Sequence, residues 1–191
     1  MTPADIASYA SAIFAGVSAL VAAAAIYFPW RTQQSQEILN QAVHSLERAY
    51  EALSNGGTQI CPPAPDRLNW LTTARHIEQY KKLKEKISFK THLVVCEEHE
   101  EYWRHKLYLC LDLLNIRQPS YYAERNEPRR QLGIEPRSAI IIYHFVNWPE
   151  GKQDPIESAN VEEMLKDGRF LNGNPGLRHY LNTFPKYCTE T

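Results

Sequence analysis

Residues 6–28 read IASYASAIFAGVSALVAAAAIYF, 23 residues without an Asp, Glu, Lys, Arg or His. As a helix rising about 1.5 Å per residue, this stretch is about 34 Å long, enough to cross a hydrocarbon layer roughly 30 Å thick. Tyr27 and Trp30 stand where the aromatic belt of a spanning helix lies, and Arg31 follows at once. The residues before Ile6, MTPAD, lack the positive n-region of a secretory signal, and the run exceeds the length of a signal's apolar core. The stretch is therefore predicted to be a membrane anchor, residues 1–30 with its span at 6–28. A buried globular helix and a cleaved signal are the competing readings.

Orientation follows from the flanks. Arg31 is the nearest basic side chain, whereas the short N-terminal tail carries Asp5. The positive-inside tendency then predicts a cytoplasmic C-terminal domain. The expected location is the cell membrane, the inner membrane for a bacterial chain. Along the span, Ala7, Ser11, Ala15, Ala19 and Ala23 recur at every fourth position, and Gly16 forms a second small pair with Ala12. Such stripes let helix backbones approach closely in lipid, which points to self-association. An alanine-rich span also produces this spacing through composition alone.

Beyond Trp30, residues 31–60 predict a juxtamembrane amphipathic helix. Ile38, Leu39, Ala42, Val43, Leu46, Ala49, Tyr50 and Leu53 step down one face, and Arg31 to Gln36 extend the rod as a polar stretch. The stripe is too wide and short for a clear coiled coil, so packing within the domain is expected. Asn55-Gly56-Gly57 supplies the left-handed geometry that ends a helix, and Cys61-Pro62-Pro63-Ala64-Pro65 makes a stiff spacer.

Residues 61–191 read as a helical cytoplasmic body. Asp66 caps one helix, with Leu68, Trp70, Leu71, Ala74, Ile77 and Tyr80 as its apolar side and a lysine run at 81–86. A longer helix spans 91–115, with His99 beside its apolar stripe. Residues 138–148 suit strand or helix; Pro136 at a first helical position and Pro149 beyond the end favour helix. Asn160 and Asn174 open two short helices. The fold class is mainly α: one N-terminal transmembrane helix continuing toward a cytoplasmic helical bundle.

The chemistry-bearing residues are few. Lys and Arg number 21 against 22 Asp and Glu, so no bulk field attracts nucleic acid, and nucleic acid is not an expected partner. Four cysteines without C-x-x-C pairing read as reduced thiols. Glu97 to Glu101 with His99 and His105 gather acids and imidazoles, but the spacing matches neither H-E-x-x-H nor E-x-x-H, so no metal and no cofactor are expected. Arg117, Arg125, Arg129, Arg130 and Arg137, interleaved with Tyr121 and Tyr122, are the candidate polar or phosphate contacts, with His99 as a neighbour. No Walker loop, nucleophile elbow or kinase signature occurs, and no catalytic residues are assigned.

The expectation is a single-pass, membrane-tethered interaction or adaptor module whose partners are the lipid bilayer and a protein, including a homo-oligomer. An effector version clusters its spanning helices and perturbs the membrane. The alternatives are a membrane-bound enzyme or nucleotide or nucleic-acid binder using the 117–137 arginines, and an accessory subunit of a larger membrane complex.

Overall fold

The computed structural model describes residues 3–57, 63–112, 114–123 and 133–184, with side chains from Phe14 onward and excepting that of Asn115. Every regular element among them is helical: α1 (Pro3–Leu53), α2 (Arg67–Lys84), α3 (Lys90–Leu111), a 3-10 turn at Leu114–Arg117, α4 (Pro119–Tyr122), α5 (Pro136–Val146), α6 (Val161–Asp167) and α7 (Pro175–Leu181), with two further 3-10 turns at Pro155–Ser158 and Arg169–Leu171. The chain divides into two compact units at Trp148 and Pro149, a boundary inside the stretch read above as one body.

α1 is a single rod of 51 residues in which two environments meet. From Phe14 to Trp30 its large apolar side chains point away from the fold, with Phe14 73%, Leu20 73% and Ile26 74% exposed. From Ser35 the same helix becomes the spine of the first unit: Ser35, Leu39, Ala42, Leu46, Ala49 and Leu53 are buried at alternating steps of four and three. Pro29 lies between these halves. Its ring has no N–H for the carbonyl one turn earlier, while the Thr32 hydroxyl donates to the Phe28 carbonyl at 2.9 Å. Asn55, Gly56 and Gly57 all take positive φ, and the Gly56 N–H closes the helix end on the Glu51 carbonyl at 2.7 Å.

α1 packs on both α2 and α3, and α5 packs on the same two helices. The order of contacts fixes their directions. Ser35 meets His92 and Tyr50 meets Trp103, so α3 runs parallel to α1. Tyr80 and Lys84 meet Glu100 and Glu97, so α2 runs the opposite way. α2 begins under the Asp66 cap, whose carboxylate accepts from the Leu68 and Asn69 N–H groups. It buries Trp70, Thr73, Ala74, Ile77, Tyr80 and Leu83. Leu68, expected to help this face, is instead exposed, because Trp70 takes the inward position at the helix start.

The segment 138–148 falls largely in α5, started by Pro136 and capped by the Glu135 carboxylate on the Ser138 N–H. Its Ile142, Phe145 and Val146 close the core. Trp70 is ringed by Tyr121, Tyr122 and Tyr143 at centroid distances of 6.2, 6.0 and 6.3 Å. The adjacent tyrosines thus pack inward: the Tyr121 hydroxyl donates to the Pro63 carbonyl, and the Tyr122 and Tyr143 hydroxyls share a bond of 2.6 Å.

In the second unit, α6 and α7 start where the caps were read: Asn160 accepts from the Glu163 N–H and Asn174 from the Leu177 N–H.

Candidate functional site

A largely enclosed cluster of charged side chains in the first unit lies where α2, α3 and α5 meet. On α3, Cys96, Glu100, Arg104, Leu107 and Leu111 follow at steps of four and three, so a carboxylate and a guanidinium share the inward line with apolar residues. Glu100 accepts on one oxygen from the Tyr80 hydroxyl and from Lys84 Nζ at 2.6 Å, and on the other from an Arg104 Nη. The Arg104 Nε donates to the Phe145 carbonyl at 2.9 Å, and the guanidinium sits over the Phe145 ring. That carbonyl belongs to the last turn of α5, where backbone acceptors lack helical partners and a cation is favoured. Arg104 Nη1 is enclosed without an acceptor among the described residues.

Burial by itself would push the Glu100 carboxyl up, but the bonds from Lys84 and Tyr80 and the charges of Lys84 and Arg104 hold it below the ordinary carboxylate range. Burial would likewise lower Lys84, and Glu100 outweighs that, keeping the ammonium protonated well into the alkaline range. Tyr80 is pushed up by burial and by the facing carboxylate, so its phenol stays a donor. Burial raises the Cys96 thiol, which donates to the Tyr80 oxygen over 3.7 Å. A protonated, enclosed thiol is a poor nucleophile, and a carboxylate with both oxygens occupied is a poor base. The arrangement fastens three helices by charge. It is bordered by a cleft lined by Tyr80, Lys84, Ile87, Leu93, Glu100 and Phe145, of about 510 Å³.

The arginines read from sequence do not gather here. Arg117 is exposed and pairs with Asp112 at 2.8 Å beside a cleft of about 440 Å³. Arg137 lines a different cleft, about 290 Å³, between α2 and α5, with Arg75, Lys82, Glu78 and Glu135. His99 is exposed on α3 and borders neither cleft, so its expected place beside the buried stripe is corrected: Glu100, the next residue, turns inward instead. Arg125, Arg129 and Arg130 lie outside the described residues. Among those described, no group of three His, Cys, Asp or Glu side chains is placed to hold a metal.

Of the small-residue stripe, Ala15, Gly16, Ala19 and Ala23 are exposed on α1, and a Cβ added at Gly16 would meet nothing within 4 Å. Ala7 and Ser11 are within the helix, and their side chains lie outside the description. The sequence reading missed the Glu100 cluster. Its signal was the Glu100–Arg104 spacing of one turn on the line of Cys96 and Leu107.

What fold and site define is a class: a mainly helical chain with one long apolar N-terminal helix, a candidate for a membrane span, that continues without interruption into a helical body. No protein-family model, curated protein or solved structure matches the chain.

Proposed function

We propose that the chain is a single-pass membrane-tethered interaction module, with the 6–28 segment in the bilayer and the helical body on the cytoplasmic side. The observation that carries this reading is the uncovered apolar half of α1, of whose candidate spanning window none is buried in the fold. A core helix of a water-soluble protein hides its apolar face. Burying a side chain such as Phe14, Leu20 or Ile26 is worth about 1.5–3 kcal/mol, so water is a poor solvent for this segment and hydrocarbon a good one. The body has no assembled set of catalytic groups among the described residues, and its described arginines do not share a cleft with His99. Contact between proteins is therefore favoured over nucleotide chemistry.

The mechanism is positional. The tether restricts the body to the membrane surface, and the unbroken α1 transmits the orientation of the span into the α2–α3–α5 core. Exposure of Ala15, Gly16, Ala19 and Ala23 supports self-association of spans, the step by which an effector would perturb a membrane.

Fractionation tests the tether: the intact chain is expected to stay with membranes through an alkaline carbonate wash and to leave them only with detergent. Recovery of the intact chain in the wash overturns the reading. For the effector version, Ala15→Leu with Ala19→Leu is expected to reduce both span association and dye leakage from expressing cells; leakage equal to wild type rejects helix packing as its cause.

A further inference from the structure

The basic run read in α2 divides into two groups in the fold. Lys81 and Lys84 are occupied by Glu78 and by Glu97 and Glu100. Lys82, Lys86 and Lys90 are exposed and have no ion pair with any described residue, and the same is true of Arg31 on α1. Directions of the helices bring most of these separate cations to one end of the first unit.

The bond between Ser35 Oγ and His92 Nδ1, 2.9 Å long, sets the level. Ser35 is five residues past Trp30, about 7.5 Å along the helix. Because α3 runs parallel to α1, Lys90 is level with Gln33, about 4.5 Å from Trp30 along the axis. The turn from Glu85 to Phe89 joins α2 to α3 at that same end, with Phe89 packed on the His92 ring at 5.6 Å. The headgroup layer occupies roughly 5–7 Å on each side of the hydrocarbon, so long lysine side chains at this level extend into it. Lys82 borders Glu78 and Glu135 in the α2–α5 cleft. At the turn and the adjoining stretch of α1, Arg31, Lys86 and Lys90 stand against Glu85 and Glu37, leaving an excess of positive charge there.

We propose that the α2–α3 turn, through Lys86, Phe89 and Lys90 and together with Arg31 of α1, is a contact site for anionic lipid headgroups. This rests on the spanning reading above. The lysines supply charge and the half-buried Phe89 an apolar wedge at the interface, so the body is held against the bilayer in one orientation rather than swinging on a single tether. Each lysine near an anionic surface favours the contact by about fivefold, and the effect weakens with salt.

The test uses the full chain reconstituted in phosphatidylcholine vesicles containing roughly 30% phosphatidylglycerol, a fraction that gives a negative surface. Spin-labelled phosphatidylglycerol and phosphatidylcholine are compared for the fraction immobilised on the protein. Wild type is expected to enrich the anionic lipid, high salt to weaken the enrichment, and Lys86→Gln with Lys90→Gln to remove most of it at unchanged helicity. Lys106→Gln, farther along α3, is expected to leave it intact. Equal immobilisation of both lipids by wild type, or enrichment surviving in the double variant, overturns the inference. Displacement by inorganic phosphate beyond that by chloride at equal ionic strength assigns the site to soluble phosphate and also overturns it. Retention after a carbonate wash is scored first: a chain that washes off rejects the spanning reading, whereas a retained chain without lipid preference rejects only the headgroup site.

Discussion

Ser35 of α1 and His92 of α3 share a hydrogen bond of 2.9 Å at the end of the bundle nearest the apolar half of the rod. Ser35 is almost fully enclosed, at 2% exposure, although its neighbours Gln34 and Gln36 are exposed. The bond fastens the start of α3, which has no side-chain cap of its own, to the spine of the domain.

Ser35→Ala is therefore expected to cost about 0.5–1.5 kcal/mol, the net worth of an ordinary hydrogen bond, because His92 is half-buried and water can replace the lost partner. Amide exchange should accelerate in the first turns of α3 more than in the middle of α2. Denaturation in detergent together with hydrogen exchange checks this, and a uniform acceleration across both helices counts against a local tie.

Arg104→Ala removes the guanidinium from Glu100 and from the Phe145 carbonyl. Breaking a buried ion pair from one side costs about 3–5 kcal/mol, because the remaining charge stays enclosed. Lys84 still faces Glu100, which favours the lower part of that range. The double variant with Glu100→Gln is expected to lose less than the sum of the two single losses, as a cycle of unfolding free energies will show.

Stability should fall at both ends of the pH scale. The Glu100 carboxyl titrates below its ordinary value of 4.5 in the fold, so its contribution is present above 4.5 and is lost as pH falls through the lower folded value. Cys96, Tyr80 and Lys84 titrate above ordinary values of 9.0, 10.0 and 10.5, so theirs is complete below those values and is lost as pH rises through the folded ones. From this cluster the expected profile is flat between 4.5 and 9.0, and Tyr80→Phe should soften its alkaline limb. Unfolding measured across pH tests both limbs.

Leu20→Arg puts a charge in the middle of the proposed span and is expected to oppose insertion by about 2.5–3.5 kcal/mol. Gln34→Arg, on an exposed part of the same helix, should have little effect. Comparing the membrane-retained fraction of the two variants distinguishes a spanning helix from a general sensitivity of α1 to added charge.

The helices were legible because local signals agreed with one another. Asp66, Asn160 and Asn174 caps, Pro136 at the first position of α5 and the Asn55-Gly56-Gly57 stop all act within a few residues of themselves. The stripe from Leu39 to Leu53 was legible for the same reason. Periodicity failed on α3, where His99 was read beside the apolar stripe and is exposed, while Arg104 is buried. A charged residue reads as solvent-facing until its partners are known, and those of Arg104 include a carbonyl 41 residues away.

By itself the sequence determined that a 23-residue stretch without acids, bases or histidine precedes a series of amphipathic, capped helices, since hydrophobicity and capping depend on residues near in the chain. The tertiary structure alone decided that this stretch stays uncovered from Phe14 onward, that Glu100 and Arg104 bind three helices together, and that Lys86 and Lys90 return to the level of Arg31. Each of these depends on helix direction and packing between distant segments, and a linear pattern carries neither.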